Sequence, residues 1–326
     1  MSIKQIVTGG AGFIGSNIVR ELNARGETDI LIVDELGEDE KWQNLVGLSY
    51  EDYIDKDDLF EYLEGVDLEK VEVIYHLGAC SATTETDADY LAYNNYHYTR
   101  ALCETCLDAD IRFVYASSAA TYGDGDLGYS DADEDTPKYS PLNMYGYSKH
   151  MFDLWALKSG AMESIAGLKY FNVYGPGEAH KGDMRSVVHK SFGQIRDTGK
   201  VQLFKSHRPD YQDGEQVRDF LYVKDAVDMT LWLGEHSEVS GLFNCGTGTP
   251  RTWVDLVTAV FRAMDIEPNI EFVDMPEHLR EKYQYHTCAT MDKIRATGYP
   301  ADFQTLESGI SDYVRNDLLQ RETAIN

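Results

Sequence analysis

Thr8-Gly9-Gly10-Ala11-Gly12-Phe13-Ile14-Gly15 stands between an apolar run, Gln5-Ile6-Val7, and a helically spaced pattern from Ile14 to Leu22. A glycine turn between a first strand and a first helix is the signature of a dinucleotide-binding βα unit. Gly10 and Gly12 let the backbone turn tightly and approach a pyrophosphate, and Gly15 lets the helix pack close to the sheet. The helix N-terminus then offers free N–H groups and a positive dipole to the phosphates. Gly9, Gly10, Gly12, Phe13, Ile14 and Gly15 are therefore candidate cofactor contacts.

Outward from that turn, short apolar runs alternate with helical patterns. Ile30 to Val33, Val71 to His76 and Arg112 to Ala116 predict the second, third and fourth strands, and Asp87 to Ala109 a long helix. This alternation predicts an α/β fold with a doubly wound parallel sheet of Rossmann type. Past a helix at Tyr145 to Lys158 and a strand at Ala166 to Tyr170, the turn-rich stretch from Val173 to Glu178 marks a change of role. One strand is expected at Val217 to Val223 and another at Gly241 to Asn244, with helices at Trp253 to Met264 and Leu306 to Leu318. We expect a nucleotide-binding domain over residues 1–171, with 217–247 contributing back to it. Residues 172–216 and 248–326 are expected to form a smaller α/β substrate domain, leaving a cleft between the two.

The 326 residues carry 29 Lys+Arg against 56 Asp+Glu, a net charge of −27. Such acidity argues against binding nucleic acid or an anionic membrane through the general surface. With 43% hydrophobic and 12% aromatic residues the chain can fill a core and is not disordered. No run of about 18 apolar residues is present to span a membrane. Met1-Ser2-Ile3-Lys4 leads directly into the first strand, which leaves no room for a signal peptide, so a cytoplasmic protein is expected. The five cysteines are odd in number and lack zinc-ribbon spacing, and Cys103-x-x-Cys106 falls late in a helical pattern rather than at a helix N-terminus. Reduced buried thiols and no metal site are the expectation.

The chemistry lies at strand ends. Asp34, followed by Glu35, ends the second strand, where an acid accepts ribose hydroxyls and favours NAD. Lys41 and Lys56 are bases within acidic stretches and could neutralise a 2′-phosphate, so the residues alone leave NAD and NADP open. Leu77-Gly78-Ala79-Cys80-Ser81 ends the third strand with small residues that allow close approach to the adenosine side. Ser117-Ser118 ends the fourth, and Tyr145 and Lys149 share one helical face at spacing i, i+4. With 22 tyrosines, about one Tyr-x-x-x-Lys is expected by chance, so position rather than spacing carries the reading. A lysine beside a phenol is expected to lower the phenol pKa and make an acid/base for a secondary alcohol, with Ser118 holding the same oxygen.

Together these residues resemble the extended short-chain dehydrogenase/reductases, and among them the sugar-nucleotide epimerases and dehydratases. Gly78-Ala-Cys-Ser-Ala-Thr-Thr-Glu85, Asn94-Asn95-Tyr96, Tyr115 to Gly123, Asn143 to Lys149, Tyr170 to Pro176 and His180-Lys181-Gly182 narrow the likeness to epimerases acting on an ADP-linked heptose. The resemblance implies epimerisation at carbon 6 through a transient ketone, supplying a lipopolysaccharide core precursor. Its cofactor is NADP+, with NAD+ as the alternative, and its assembly a homo-oligomer, often a pentamer. Carried over by position, it implies cofactor contacts from Phe13, Ile14, Asp34, Glu35, Lys41, Lys56, Leu77 to Ser81, Asn94, Lys149, Val173 and Lys181. Substrate contacts would come from Ser118, Asn172, Asp183, Lys190, Phe204, Lys205, Ser206, His207, Arg218 and Tyr283. Tyr145 is the first expected acid/base, supported by Ser118 and Lys149, and Lys181 the second; without the resemblance, Lys181 reads as a surface lysine.

Three rival readings fit these residues less well. Ala119 and Ala120 stand where related 4,6-dehydratases place their acid pair, so elimination lacks its acid and base. A UDP-hexose 4-epimerase shares the general motifs but not His180-Lys181. A non-catalytic NADP-binding sensor would be expected to have lost Tyr145 or Lys149, and both are present. The proposed cleft gathers Lys149, Lys181, Lys190, His207, Arg218 and Arg280, which can outweigh a screened acidic surface at short range.

Overall fold

The computed structural model describes residues 3–280, 283–300 and 302–321. Its strands are β1 (Gln5–Thr8), β2 (Ile30–Asp34), β3 (Asp52–Asp55), β4 (Val73–His76), β5 (Arg112–Ser118), β6 (Ala166–Tyr170), β7 (Asn172–Tyr174), β8 (Val201–Phe204), β9 (Val217–Arg218), β10 (Phe220–Tyr222), β11 (Gly241–Cys245), β12 (Arg251–Thr252) and β13 (Ile270–Val273). The helices are α1 (Phe13–Ala24), α2 (Leu59–Gly65), α3 (Ala88–Leu91), α4 (Tyr98–Asp108), α5 (Met144–Ser159), α6 (Val187–Thr198), α7 (Val223–Glu235), α8 (Trp253–Ala263), α9 (Glu277–Arg280), α10 (Asp292–Ala296) and α11 (Leu306–Tyr313).

Seven parallel strands form the main sheet in the order β11-β6-β5-β4-β1-β2-β3. The chain winds outward from β1 in one direction and from β4 in the other. The crevice between β1 and β4 is thus the topological switch point where such sheets take their ligands. Strand side chains alternate faces, as the pleat requires. Val7, Ile32, Tyr75 and Val114 enter one apolar layer with α1 and α7, while Ile6, Leu31, Ile74 and Phe113 enter the other with α2, α4 and α5. Fully burying a leucine-sized side chain is worth about 1.5–3 kcal/mol, so these two layers fix the sheet between its helices.

The fold class is as expected, with two differences in detail. The expected strand at 217–223 is broken at Asp219 into β9 and β10, which join different sheets. Asp219 is fully buried, and its carboxylate accepts from Thr247 N–H, Thr247 Oγ1, Gly248 N–H and Ala289 N–H at 2.7–3.0 Å, so it serves as a clamp. β3 was not foreseen, because Asp52-Tyr53-Ile54-Asp55 at the sheet edge has no continuous apolar run. Among the described residues the second half of the chain adds three two-stranded ladders, β7 with β10, β9 with β12 and β8 with β13, and α8 packs between α6 and α11. Among the described residues no helix is long and apolar enough to cross a membrane.

The long helix expected at 87–109 is present but not uniform: α3 passes through a π-helical turn, Ala92–His97, into α4. Cys103 and Cys106 lie late in α4, fully buried, and burial pushes both thiols up, Cys103 to about 12. They are inert core residues, and all five cysteines are unpaired.

Candidate active site

The glycine turn packs against itself and against the end of β4. A Cβ on Gly15 would lie 2.1 Å from the Gly9 carbonyl, and one on Gly9, which sits at φ +68°, would lie 2.7 Å from Gly78 N. Gly10 is hemmed by Ile32 and the Val7 carbonyl. Gly12 begins α1 with no side-chain cap and no acid in the first turn, so the amides of Phe13 and its neighbours keep an open anion-binding end. These residues fit the diphosphate of a dinucleotide. Thr8 Oγ1 lies 2.6 Å from His76 Nδ1 and accepts from Gly78 N–H at 3.1 Å, which ties the Leu77–Ser81 segment to the turn. His76 is fully buried, and desolvation with Lys149 nearby holds it down to about 3, so it is a neutral strut.

At the end of β2, Asp34 accepts from Ala11 N–H and Glu35 N–H, both at 2.8 Å, and from Lys41 Nζ at 2.9 Å. Lys56 Nζ stands 3.5 Å from Glu35 and 2.7 Å from Asp57. Both candidate lysines are therefore at the ribose end and each is already partnered by a carboxylate. Buried Asn44 joins this corner to the next one: its Nδ2 donates to Ala11 O and Gly177 O at 3.0 Å and lies 3.3 Å from His180 Nδ1.

The proton-transfer group assembles where β5 meets α5. Asn143 caps α5 by accepting from Gly146 N–H at 2.8 Å, and a Cβ on Gly146 would lie 2.7 Å from Ala120 O. That close approach brings Tyr145 against Ser118, whose hydroxyl holds the phenol pKa down while burial, the larger effect, and the Cys80 thiol push it up. The expected lowering by Lys149 is not what the geometry gives. Lys149 is buried and donates to Ala116 O at 2.8 Å; burial holds it down to about 8 against the opposing pull of Asp153 and Cys80. In this state Ser118, not the ammonium, is the group that eases ionisation of Tyr145.

Asn94 is the expected cofactor contact, but the π turn points Asn95 inward. Fully buried Asn95 accepts from Cys80 N–H and donates to Cys80 O, both at 2.9 Å, and donates to Ser148 Oγ at 3.0 Å. Asn94 itself donates to Asn95 Oδ1. Asn95 thus fastens the strand-end segment to the helix carrying Tyr145 and Lys149, and π turns of this kind occur often at functional sites.

Lys181 is not a surface lysine. It lies in the short turn Ala179–Met184 with its Nζ 5.3 Å from the centre of the Phe13 ring, and burial lowers its pKa against the pull of Glu178. Asn44, Gly177 and His180 hold this turn beside the glycine turn. Val173 lies on β7 and is partly buried.

The candidate substrate residues divide. Arg218 is buried, yet no carboxylate stands within ion-pair distance among the described residues. Its guanidinium donates to Val217 O and Gln284 O and lies 5.5 Å from the Trp253 ring and 5.3 Å from that of Tyr283. Tyr283 accepts from Trp253 Nε1 at 2.9 Å. Gln284 also donates to Gly123 O, so this arm reaches the turn that follows Ser118. Asn172 is held beside it, its N–H on Asp219 O. Lys205 pairs with Asp274, and Ser206 and His207 are pinned through backbone bonds to Asp213 and Tyr285; Phe204 ends β8. Asp183 and Lys190 are exposed, and Lys190 Nζ donates to the Asp183 carbonyl at 2.6 Å. Asn95, Asn44 and Asp219 were missed; only Asn95 left a signal, as part of Asn94-Asn95-Tyr96.

The profile of the NAD dependent epimerase/dehydratase family matches residues 5–246. An ADP-L-glycero-D-manno-heptose-6-epimerase of Nitratidesulfovibrio vulgaris is 57% identical, covering 96% of this chain and 97% of its own. One of Fusobacterium nucleatum is 47% identical, covering 98% and 99%. The crystal structure of the Helicobacter pylori ADP-L-glycero-D-manno-heptose-6-epimerase is similar with a TM-score of 0.81 at 26% identity, over 97% of this chain and 96% of that one.

Proposed function

The chain belongs to the NAD dependent epimerase/dehydratase family, and on that premise we propose that it inverts carbon 6 of the heptose in ADP-D-glycero-D-manno-heptose, giving the L-glycero epimer. The observation that carries the mechanism is a pair of proton-transfer groups on separate supports: Tyr145 with Ser118 at the β5–α5 junction, and desolvated Lys181 over Phe13.

The carbon-bound hydrogen of an unactivated secondary alcohol is too weakly acidic to leave as a proton, so inversion runs through a ketone. The glycine turn with the open N-terminus of α1 would hold a nicotinamide dinucleotide, which would supply the hydride acceptor for that carbon and the hydride for its return. One acid/base of the chain takes the hydroxyl proton as the ketone forms. After the carbonyl presents its other face, the second acid/base protonates the oxygen in its new place. One group gains a proton and the other loses one each turnover, and exchange with solvent resets them. Ser118 holds the substrate oxygen beside Tyr145, and Lys149 supports the ribose side from its seat on Ala116 O. Arg218, a buried cation without a carboxylate partner among the described residues, receives the diphosphate of the sugar nucleotide. Ala119 and Ala120 leave no acid/base pair for elimination, which separates the reaction from that of the dehydratases.

We take the cofactor as NADP+, with Lys41 and Lys56 turning from Asp34 and Glu35 to a 2′-phosphate. Residues 1–171 with 217–247 act as the nucleotide domain and 172–216 with 248–326 as the substrate domain, consistent with β11 lying in the main sheet. The proposal includes a homo-oligomer, a pentamer by resemblance, supported by the exposed side chains of Trp42, Val46 and Tyr93, and a reducing cytoplasm suited to five unpaired thiols.

The test is to release the cofactor and identify it by mass, then incubate the holoenzyme with ADP-D-glycero-D-manno-heptose. Conversion to the epimer is expected, and its loss in Tyr145→Phe combined with Lys181→Met while cofactor stays bound. Full activity of that double variant would end the mechanism, and absence of conversion by the unmodified enzyme would move weight to a UDP-hexose 4-epimerase.

A further inference from the structure

Lys181 sits in a six-residue turn, too short to fix a side chain by its own packing. The residue before that turn, Glu178, is only 1% exposed although it carries a carboxylate. Its Oε1 accepts from Gly175 N–H at 3.3 Å and from Ser186 Oγ at 2.7 Å, and its Oε2 accepts from Ser186 N–H. Gly175 precedes the turn and Ser186 follows it, so one carboxylate ties the entry of the loop to its exit. The Glu178 carbonyl accepts from Lys181 N–H at 3.0 Å, which closes the turn from within. The Tyr313 phenol, from α11, faces the same carboxylate.

No lysine or arginine pairs with Glu178 at ion-pair distance among the described residues; burial pushes its carboxyl up, and the donors from Ser186 and Gly175 together with the Lys181 charge oppose that and favour the ionised form. The neighbouring groups are few. From α1 Lys181 meets the Phe13 ring; from its own turn it meets His180, which also feels Asp39 and Lys41; and Tyr313, beyond Glu178, is faced by Asp317 and Arg321. Glu178 is the negative charge that opposes burial at the Lys181 amine.

An amine that takes a proton from one epimer must also be able to return it. Burial alone drives an amine toward its neutral form, in which it can act only as a base. We infer that Glu178 is a positioning residue for Lys181: it locks the loop that carries the amine and supplies the buried negative charge that lets the amine hold a proton. The inference rests on the role of Lys181 given under the proposed function.

The experiment uses the holoenzyme and two readouts. The first is single-turnover formation of the keto intermediate from each epimer separately, followed against pH by the nicotinamide absorbance. The second is the pH midpoint of Lys181 itself, by NMR of trace reductively 13C-methylated protein, its resonance assigned by absence in Lys181→Arg. In Glu178→Gln the Lys181 midpoint is expected to fall on the order of one pH unit. The acid limb of keto formation should fall equally for one epimer, the one Lys181 serves, and stay in place for the other. Ser186→Ala, which loosens the loop but keeps the charge, is expected to lower the plateau for that same epimer without moving the limb. An unmoved Lys181 midpoint, or profiles that shift together for both epimers, overturns the inference. Should Glu178→Gln not fold, Glu178→Asp takes its place, with a smaller shift of the same sign. If the unmodified enzyme forms no ketone from either epimer, the function reading has failed, and the Lys181 midpoint alone decides the role of Glu178.

Discussion

Replacing Arg218 by methionine separates folding from ligand binding in a way the structure allows to be worked through. In the free protein the guanidinium makes two hydrogen bonds to carbonyls, Val217 O and Gln284 O, and stacks on Trp253 and Tyr283. Losing two bonds of a charged donor costs about 1.5–3 kcal/mol each. Against this, a buried cation with no ion-pair partner among the described residues carries a desolvation penalty of several kcal/mol, which methionine removes while filling much of the same space. The two effects are of similar size and opposite sign, so ligand-free stability is expected to change by no more than about 2 kcal/mol. Binding has no such compensation. A diphosphate that loses one charged donor pair loses about 1.5–3 kcal/mol, or roughly 10- to 150-fold in affinity. The assay is urea unfolding of the ligand-free variant beside calorimetric titration with ADP. ADP affinity within twofold of the unmodified protein would refute the reasoning, as would a large stability loss with unchanged affinity.

Three further outcomes are expected. Lys41→Ala should weaken NADP+ at least tenfold while changing NAD+ much less, because only the 2′-phosphate needs the charge; equal losses in fluorescence titrations would assign Lys41 to holding Asp34 alone. Gly15→Ala forces a Cβ to 2.1 Å from Gly9 O and should both lower the melting temperature and strip cofactor from the purified protein; full cofactor content would contradict the packing described. In the folded, ligand-free state Lys149 holds at about 8, below its ordinary 10.5, so the unfolded chain binds more protons between those values and stability rises with pH across that window. Lys149→Met should lack this rise, a difference of a few kcal/mol between unfolding series at pH 7.5 and 10.

What the residues announced and what they hid follow from how each signal arises. β1, β2, β4, β5, β6 and β11 are buried on both faces and read largely as apolar runs, so their presence in a parallel sheet and the glycine turn were legible. β3 is a half-exposed edge strand whose acids mask it. The break at Asp219 could not be foreseen, since the carboxylate is satisfied by amides from residues 247, 248 and 289, far along the chain. Tyr145, Lys149 and Ser118 were legible because their positions at a strand end and a helix start define the chemistry. The state of Tyr145 was not, because it depends on where the Lys149 ammonium rests, and a backbone carbonyl two strand residues before Ser118 takes it. Lys181 looked like a surface residue because its burial comes from Phe13, over 160 positions away in sequence.

The π turn at Ala92–His97 has a consequence for how this protein can vary. A residue added to or removed from a helix rotates everything beyond it by about 100°. The turn accommodates one residue more than the plain α spacing, and Asn95 reaches Cys80 and Ser148 from within it. The junction between strand end and reactive helix is therefore encoded partly as a count of residues rather than as their identities. Side-chain replacements at exposed Tyr93 can be absorbed, whereas deleting a single residue between 92 and 97 would straighten the helix and swing Asn95 off its partners. In lineages of this chain, insertions and deletions should be rarer there than the tolerance of its exposed positions to substitution would suggest.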